Sequence, residues 1–381
     1  MTAGWRASYS PRVDRMRALL SVLTRRRKRS RKLAVALQDE IRDRGIDADR
    51  ALALGDALEA ADDLLTAVDA LTEANRLRPD GAVERRLVRL RRRAFGQLGR
   101  PPHVPTQPRR ADDAPMAVDP PAPVTPGALT PDVLREGILR HGCVWIRGLA
   151  SPPRVDGLRR AIDRAFAARE AALAGRATAE TRVWYDPVER VPKDGSRRWV
   201  REGQGLLMAD SPRTFFAFLE TVRELGLDRL IAGYLGERPS LSVEKCVLRR
   251  ADASLHASTW HQDGAFLGEG IRTVDAWFAL SRCGRDAPGL EVIPIRLARV
   301  LPTGETGTYF DWTVSPETIA RELPGAPVWR PEFEAGDALL FDHLLLHRTA
   351  ADPEMPGVRY AIESWFFASS VYPKTSTPLV V

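Results

Sequence analysis

Cysteine is scarce in this 381-residue chain, which has only Cys143, Cys246 and Cys283, odd in number and widely spaced. Such a set excludes a disulfide framework and points to a reducing compartment. Lysine is scarce too, five of 57 cationic residues, the rest being arginine. No apolar run approaches membrane-spanning length, and no signal-peptide-like stretch follows a basic start. The expectation is a cytoplasmic protein without a membrane span. With 44% hydrophobic residues there is enough apolar content for a real core, and the length allows one large domain plus a small one.

Histidine is also sparse, at six residues: His103, His141, His256, His261, His343 and His347. Two of these sit in a telling arrangement. His261-Gln262-Asp263 is followed 84 positions later by His347, and 12 residues beyond that by Arg359. In an extended strand, residues i and i+2 share a face, so His261 and Asp263 can present an imidazole and a carboxylate to one point. His347 arriving from a distant strand completes two histidines and one carboxylate, the ligand set of non-haem Fe(II) oxygenases. An arginine on the next strand can clamp a carboxylate in bidentate fashion, which points to a 2-oxo acid as co-substrate. The competing reading is a pair of core histidines, for which burial of an unpaired polar group is costly. His343 competes with His347 as the distal ligand, and His256 reads as a loop residue near the site.

The surrounding sequence carries a family resemblance. Trp260-His261-Gln262-Asp263-Gly264 precedes Val274-Asp275-Ala276-Trp277-Phe278-Ala279-Leu280, then Gly289-Leu290-Glu291-Val292-Ile293-Pro294. Gly336-Asp337-Ala338-Leu339-Leu340-Phe341, Leu344-Leu345-Leu346-His347-Arg348-Thr349 and Val358-Arg359-Tyr360-Ala361 follow. In order and spacing this resembles the phytanoyl-CoA dioxygenase family of Fe(II)/2-oxoglutarate oxygenases, over about residues 128–372. The resemblance begins with a strand at Leu139–Gly148 and a helix at Val155–Arg169. It implies His261, Asp263 and His347 as metal ligands, Arg359 with Thr349 as the 2-oxoglutarate clamp, and Gln262 as a further residue reaching the co-substrate. The family's usual Pro-Gly-Ser-His turn is replaced here by Pro294-Ile295-Arg296-Leu297, which bears on the pocket rim and not on the iron chemistry. With Fe(II), 2-oxoglutarate and O2, the implied reaction is hydroxylation of a small or carrier-bound substrate, releasing succinate and CO2. Related halogenating enzymes have a small residue where Asp263 stands; a coordinating carboxylate there favours hydroxylation, with desaturation or ring closure open to the same chemistry.

The implied fold is mainly β, a double-stranded β-helix or jelly roll with flanking helices. Its strands are expected at Leu241–Arg249, Thr273–Ser281, Leu290–Pro294, Asp337–Leu346 and Arg359–Ala368. Thr130 is a plausible cap with Pro131 at the first helical position, opening the catalytic domain at 128–381. Arg182-Val183-Trp184-Tyr185, Arg197-Arg198-Trp199-Val200-Arg201 and Tyr309-Phe310-Asp311-Trp312 are the candidates for the substrate pocket, though ordinary packing accounts for them as well.

The N-terminal part is all-α. Residues 1–110 hold 25 basic and 14 acidic residues, so the whole positive excess lies there. The run Arg25-Arg26-Arg27-Lys28-Arg29-Ser30-Arg31-Lys32 could bind nucleic acid or anionic lipid, but a solvated helix face or an acidic protein partner fits better, since no aromatic or nucleic-acid motif accompanies it. Leu54-Gly55, Leu58, Ala67, Leu71, Ala74 and Pro79 fall in the register of a tetratricopeptide repeat, with a third helix at about Ala82–Phe95; an unrelated helical hairpin is the alternative. This gives a helical module at 1–98 and a proline-rich linker at 99–127, with nine prolines from Pro101 to Pro126. Two rivals to the enzyme remain at this point: a non-catalytic jelly-roll binding protein, and a scaffold whose function lies in the helical module.

Overall fold

The structure is a computed structural model and describes residues 11–99, 119–189, 196–255, 259–305, 308 and 310–381. His103, His256 and Tyr309 lie outside these residues, as does most of the expected linker. By internal contacts the chain divides into two units, Met1–Gln97 and Leu98–Val381.

The first unit is helical: α1 (Pro11–Arg44), α2 (Ala48–Ala60), α3 (Leu64–Leu77) and α4 (Gly81–Ala94). Asp47, Asp63 and Asp80 start α2, α3 and α4 by accepting backbone N–H groups that the first turn leaves free. Ala51, Leu54, Leu58, Ala67, Leu71 and Ala74 are all buried along the α2–α3 contact. A methyl added at Gly55 would fall 2.6 Å from Leu71, so that glycine permits the close approach of the two helices. In the basic run, Arg27 pairs with Asp62 at 2.9 Å, while Lys28, Arg29, Arg31 and Lys32 are exposed.

The second unit runs α5 (Pro131–His141), β1 (Cys143–Ile146), α6 (Pro152–Leu173), α7 (Ser196–Glu202), β2 (Gly205–Leu207), α8 (Pro212–Glu224) and α9 (Leu227–Leu235). The strand-rich part follows: β3 (Pro239–Ala251), α10 (Gly264–Leu267), β4 (Thr273–Ala279), β5 (Gly289–Ile293), α11 (Pro316–Glu322), β6 (Ala338–Phe341), β7 (Leu346–Ala350), β8 (Arg359–Ala368) and β9 (Pro378–Val380). The major sheet is antiparallel, ordered β1-β6-β4-β8-β3-β2, with β9 also on β3. The minor sheet pairs β5 with β7 and is widened by bridges from His261 to His347 and Thr313, and from Val292 to Trp329. Trp277, Phe341, Trp365 and Phe367 of the major sheet pack in one core with Leu290 and Val292 of the minor sheet. Two sheets closed on a shared core, with helices outside, make a jelly roll.

Three expectations need correction. Leu139–His141 close helix α5, capped by Gly142 at φ 76, so the first strand is only Cys143–Ile146. Asp337–Leu346 is not one strand: β6 belongs to the major sheet and β7 to the minor one, with a turn at 342–345 between them. The body also begins earlier than 128. Val124 bridges Ile146, its N–H donating to the Trp145 carbonyl at 2.7 Å, and Pro121 is buried. The Thr130 cap is as expected, accepting from the Val133 N–H.

Candidate active site

His261, Asp263 and His347 meet at one point, their ligand atoms all within 4.8 Å of one another. Two features of the backbone bring them there. The main chains of His261 and His347 exchange both hydrogen bonds, each at 3.0 Å, as a directly opposed antiparallel pair. After that single bridge the chain turns, and Asp263 has a helical conformation as it caps α10. The H-x-D segment is therefore a strand end running into a helix, not a continuous strand.

Each imidazole is fixed by its own chain. His261 Nδ1 lies 3.0 Å from the Thr259 carbonyl, and His347 Nδ1 lies 3.0 Å from the Leu345 carbonyl. A carbonyl only accepts, so both Nδ1 atoms carry the proton and both Nε2 lone pairs are left for a metal. His347 Nε2 lies 3.6 Å from Asp263 Oδ2. Burial, reinforced by His347, lowers His261 to about 4, which keeps it a neutral donor at ordinary pH. Two imidazole nitrogens and a carboxylate on one side of a point fit Fe(II) and leave the other side open.

These side chains line a cavity of about 520 Å3. Its walls include Trp199, Phe266, Trp277, Trp312, Phe341 and Trp365. Trp312 and Phe341 sit against the ligands, their rings 5.3 Å from His261 and 5.1 Å from His347 respectively. Phe310 stacks on Trp312 at 4.9 Å and meets Trp199 at 5.1 Å, so the two sequence segments singled out as pocket candidates close on each other. Trp184 instead packs under Arg164 and Arg213.

The two residues expected as the clamp differ in placement. Thr349 lines the cavity. Arg359 lies on the inward face of β8, the face that also carries Glu363 and Trp365, but is itself fully buried beneath the cavity wall. Among the described residues its guanidinium makes one hydrogen bond, to the Gly289 carbonyl at 3.3 Å, and its Nε has no partner. A buried guanidinium without a carboxylate partner is costly, and a dicarboxylate such as 2-oxoglutarate fits that need.

Gln262 does not reach the cavity. Its amide is consumed by the backbone: it donates to the Arg299 and Leu344 carbonyls at 3.1 and 2.8 Å and accepts from the Leu301 N–H at 2.7 Å. The residue pins two loops behind the ligands and has no polar atom left for a co-substrate. His343 is also no ligand; it lies in the turn between β6 and β7 with its Nδ1 3.3 Å from Thr273 Oγ1. Arg296, at the departure from the family turn, forms a buried pair with both oxygens of Asp342, at 2.7 and 2.6 Å. Asp342 also accepts from the Leu344 N–H, so this pair fixes the corner from which His347 emerges.

Several lining residues carried no motif. Lys245 lies 3.8 Å over the Phe266 ring, Arg249 pairs with Glu363, and Asp275 accepts from the Ser364 N–H at 3.1 Å. Only strand alternation on β3, β4 and β8 could have placed them inward. No helix among the described residues is long and apolar enough to cross a membrane.

Comparison with known proteins gives the family. No curated protein matches the chain. Among solved structures it is similar to SnoK, a non-heme alpha ketoglutarate dependent carbocyclase from nogalamycin biosynthesis, at 17% identity over 65% of this chain and 87% of that one, with a TM-score of 0.43. It is also similar to EctD from S. alaskensis, solved with 2-oxoglutarate and 5-hydroxyectoine (17% identity, 64% and 78% covered, TM-score 0.46). A third is EvdO2 from Micromonospora carbonacea var. aurantiaca (16% identity, 65% and 92% covered, TM-score 0.42). The profile of the phytanoyl-CoA dioxygenase (PhyH) family matches residues 138–352, more than half of the chain. The chain thus belongs to the phytanoyl-CoA dioxygenase family and is an iron- and 2-oxoglutarate-dependent oxygenase.

Proposed function

We propose that the protein hydroxylates an unactivated carbon of a small or carrier-bound organic substrate, with His261, Asp263 and His347 holding the iron and Arg359 and Thr349 taking the far carboxylate of 2-oxoglutarate. When bound, iron and 2-oxoglutarate supply the oxidising chemistry, consuming O2 and releasing succinate and CO2. The protein's part is position and exclusion of water. The Thr259 and Leu345 carbonyls hold both imidazoles in the metal-binding tautomer. Asp263 fills the ligand position that a halide would need, which supports hydroxylation over halogenation. Phe266, Trp312 and Phe341 crowd the ligands with apolar surface and keep the bulk of water away. A cavity of about 520 Å3 is of a size for one modest organic molecule beside the co-substrate.

The convergence of three ligands with both Nε2 atoms free carries this reading. It is tested by supplying Fe(II), ascorbate and 2-oxoglutarate under air and following succinate. Slow succinate release without any substrate is expected; none at all, in protein that binds iron, would remove the oxygenase assignment of this site.

A further inference from the structure

Strand alternation gives the β3–β8 pair a second lined face. Arg249 and Glu363 point into the cavity of the metal ligands, whereas Arg250 and its direct partner Tyr360 point the other way, toward α6. There they border a separate, open cavity of about 470 Å3, together with Arg169, Arg201, Gln204 and Asp252. Three arginines from three different elements meet on it.

Their charges are poorly met by protein. The Arg201 guanidinium makes no hydrogen bond or ion pair among the described residues. Arg169 donates to the Gly205 carbonyl at 2.8 Å, but its buried Nε has no partner. Arg250 is held loosely, 3.3 Å from Asp163 and 3.8 Å from Glu170. The guanidinium carbons of Arg169 and Arg250 lie 4.6 and 4.7 Å from the centroid of one ring, that of Phe166. Burial lowers the Arg169 pKa; Tyr185 and Glu170 oppose this, while Arg250 and Arg201 add to it. Two nearby acids carry other bonds as well, Asp252 through Oδ1 alone among the described residues. Asp252 accepts from Ser254 N, Ser254 Oγ and Gln204 Nε2, and Asp163 accepts from the Tyr360 hydroxyl at 2.8 Å.

We propose that this cavity binds a phosphorylated small molecule, its phosphate held among Arg169, Arg201 and Arg250 and its organic part against Tyr360 and Val358. Guanidinium forks match phosphate oxygens in pairs, and a dianion with three terminal oxygens answers three such groups where a monocarboxylate answers one. Val358 is 44% exposed at the cavity edge and offers the apolar surface. The volume exceeds what a bare phosphate fills, which favours an ester over the inorganic ion. This site is independent of the iron assignment and stands or falls without it.

The test is calorimetric titration of the full-length protein with inorganic phosphate, phenyl phosphate, and vesicles containing phosphatidic acid. Phenyl phosphate should saturate one site, inorganic phosphate should compete for it more weakly, and vesicles should add nothing. The Arg169→Gln/Arg250→Gln variant should bind phenyl phosphate about tenfold or more weaker, roughly 1.4 kcal/mol, while substrate-free succinate formation is unchanged. Arg201→Glu, a single change at an exposed position, serves if the double variant folds poorly, and Arg135→Ala on α5 should bind normally. Unsaturable binding of both phosphates, undiminished binding by Arg201→Glu, or binding to vesicles alone would overturn the proposal.

Discussion

Arg249 and Glu363 form a bidentate ion pair in the wall of the iron cavity, with Nε–Oε1 and Nη2–Oε2 distances of 2.8 and 2.9 Å. Arg249 is therefore neutralised from within, although it lines the cavity and Arg359 does not. The guanidinium without a carboxylate is the one below the wall. Arg359→Ala is expected to raise the apparent KM for 2-oxoglutarate by a factor on the order of 30 to 150, since a charge-assisted bidentate contact is worth about 2 to 3 kcal/mol. Arg359→Met should also leave the co-substrate-free protein as stable as the parent or more so, because it removes a buried unpaired charge. An unchanged KM in both variants would transfer the clamp to another residue.

Alanine in place of His261, Asp263 or His347 should abolish stoichiometric Fe(II) binding and succinate formation with the fold retained. Each change removes one of three bonds to the metal. Iron content by elemental analysis, beside circular dichroism, checks it; a variant that keeps its full iron would identify a residue wrongly chosen.

Gln262 should behave differently from its neighbours. Gln262→Ala leaves two carbonyls and an N–H without partners in a buried place, at a cost of about 1 to 3 kcal/mol for each group. Thermal melting should fall clearly while the KM for 2-oxoglutarate stays near that of the parent. A large KM change with normal melting would return Gln262 to the co-substrate.

Asp275 supplies a pH dependence. Burial, with Glu363 and Asp263 nearby, holds its carboxyl well above the usual carboxylate range of about 3.8. Above that pH the folded form keeps a proton that the unfolded chain gives up, so this group's contribution to stability falls as pH rises toward its folded pKa. Asp275→Asn keeps the acceptor for the Ser364 N–H and has no such proton. Its advantage in melting temperature over the parent should widen as pH rises above about 4. Parallel curves would mean that Asp275 ionises as an ordinary carboxylate.

Removing residues 1–118 should leave a folded domain that still forms succinate without substrate, because every proposed ligand lies beyond the cut and the units have separate cores. The cut falls there and not at 127 because Val124 is tied to β1. We expect the helical module to serve a protein partner or substrate delivery. A soluble, iron-loaded but inactive fragment would show that the module completes the active site.

The sequence made the metal ligands legible because their signal is local: two residues at one spacing, and a third at the edge of an apolar strand. What it hid depended on distant contacts. Leu344-Leu345-Leu346 resumes the apolar run of β6 after only Asp342-His343, so the stretch reads as one strand, and the local mark of the turn to the other sheet is Asp342, which accepts from the Leu344 N–H. That turn is fixed by Arg296, 46 residues away from Asp342. The backbone bonding of Gln262 is hidden in the sequence for the same reason, since its partners are main-chain atoms of remote loops. Arg249 and Glu363 lie 114 residues apart, and only inward alternation hints at either.

The change of sheet between β6 and β7 has a mechanical consequence. His347 travels with the minor sheet and Arg359 with the major one, so with the clamp proposed above the span from metal site to carboxylate anchor is a gauge set by the gap between sheets. Phe341 stands in that gap, packed 5.1 Å from His347 and 5.8 Å from Trp365. A smaller side chain there would let the sheets settle toward each other and shorten the gauge, changing which length of dicarboxylate fits without touching any residue that binds it.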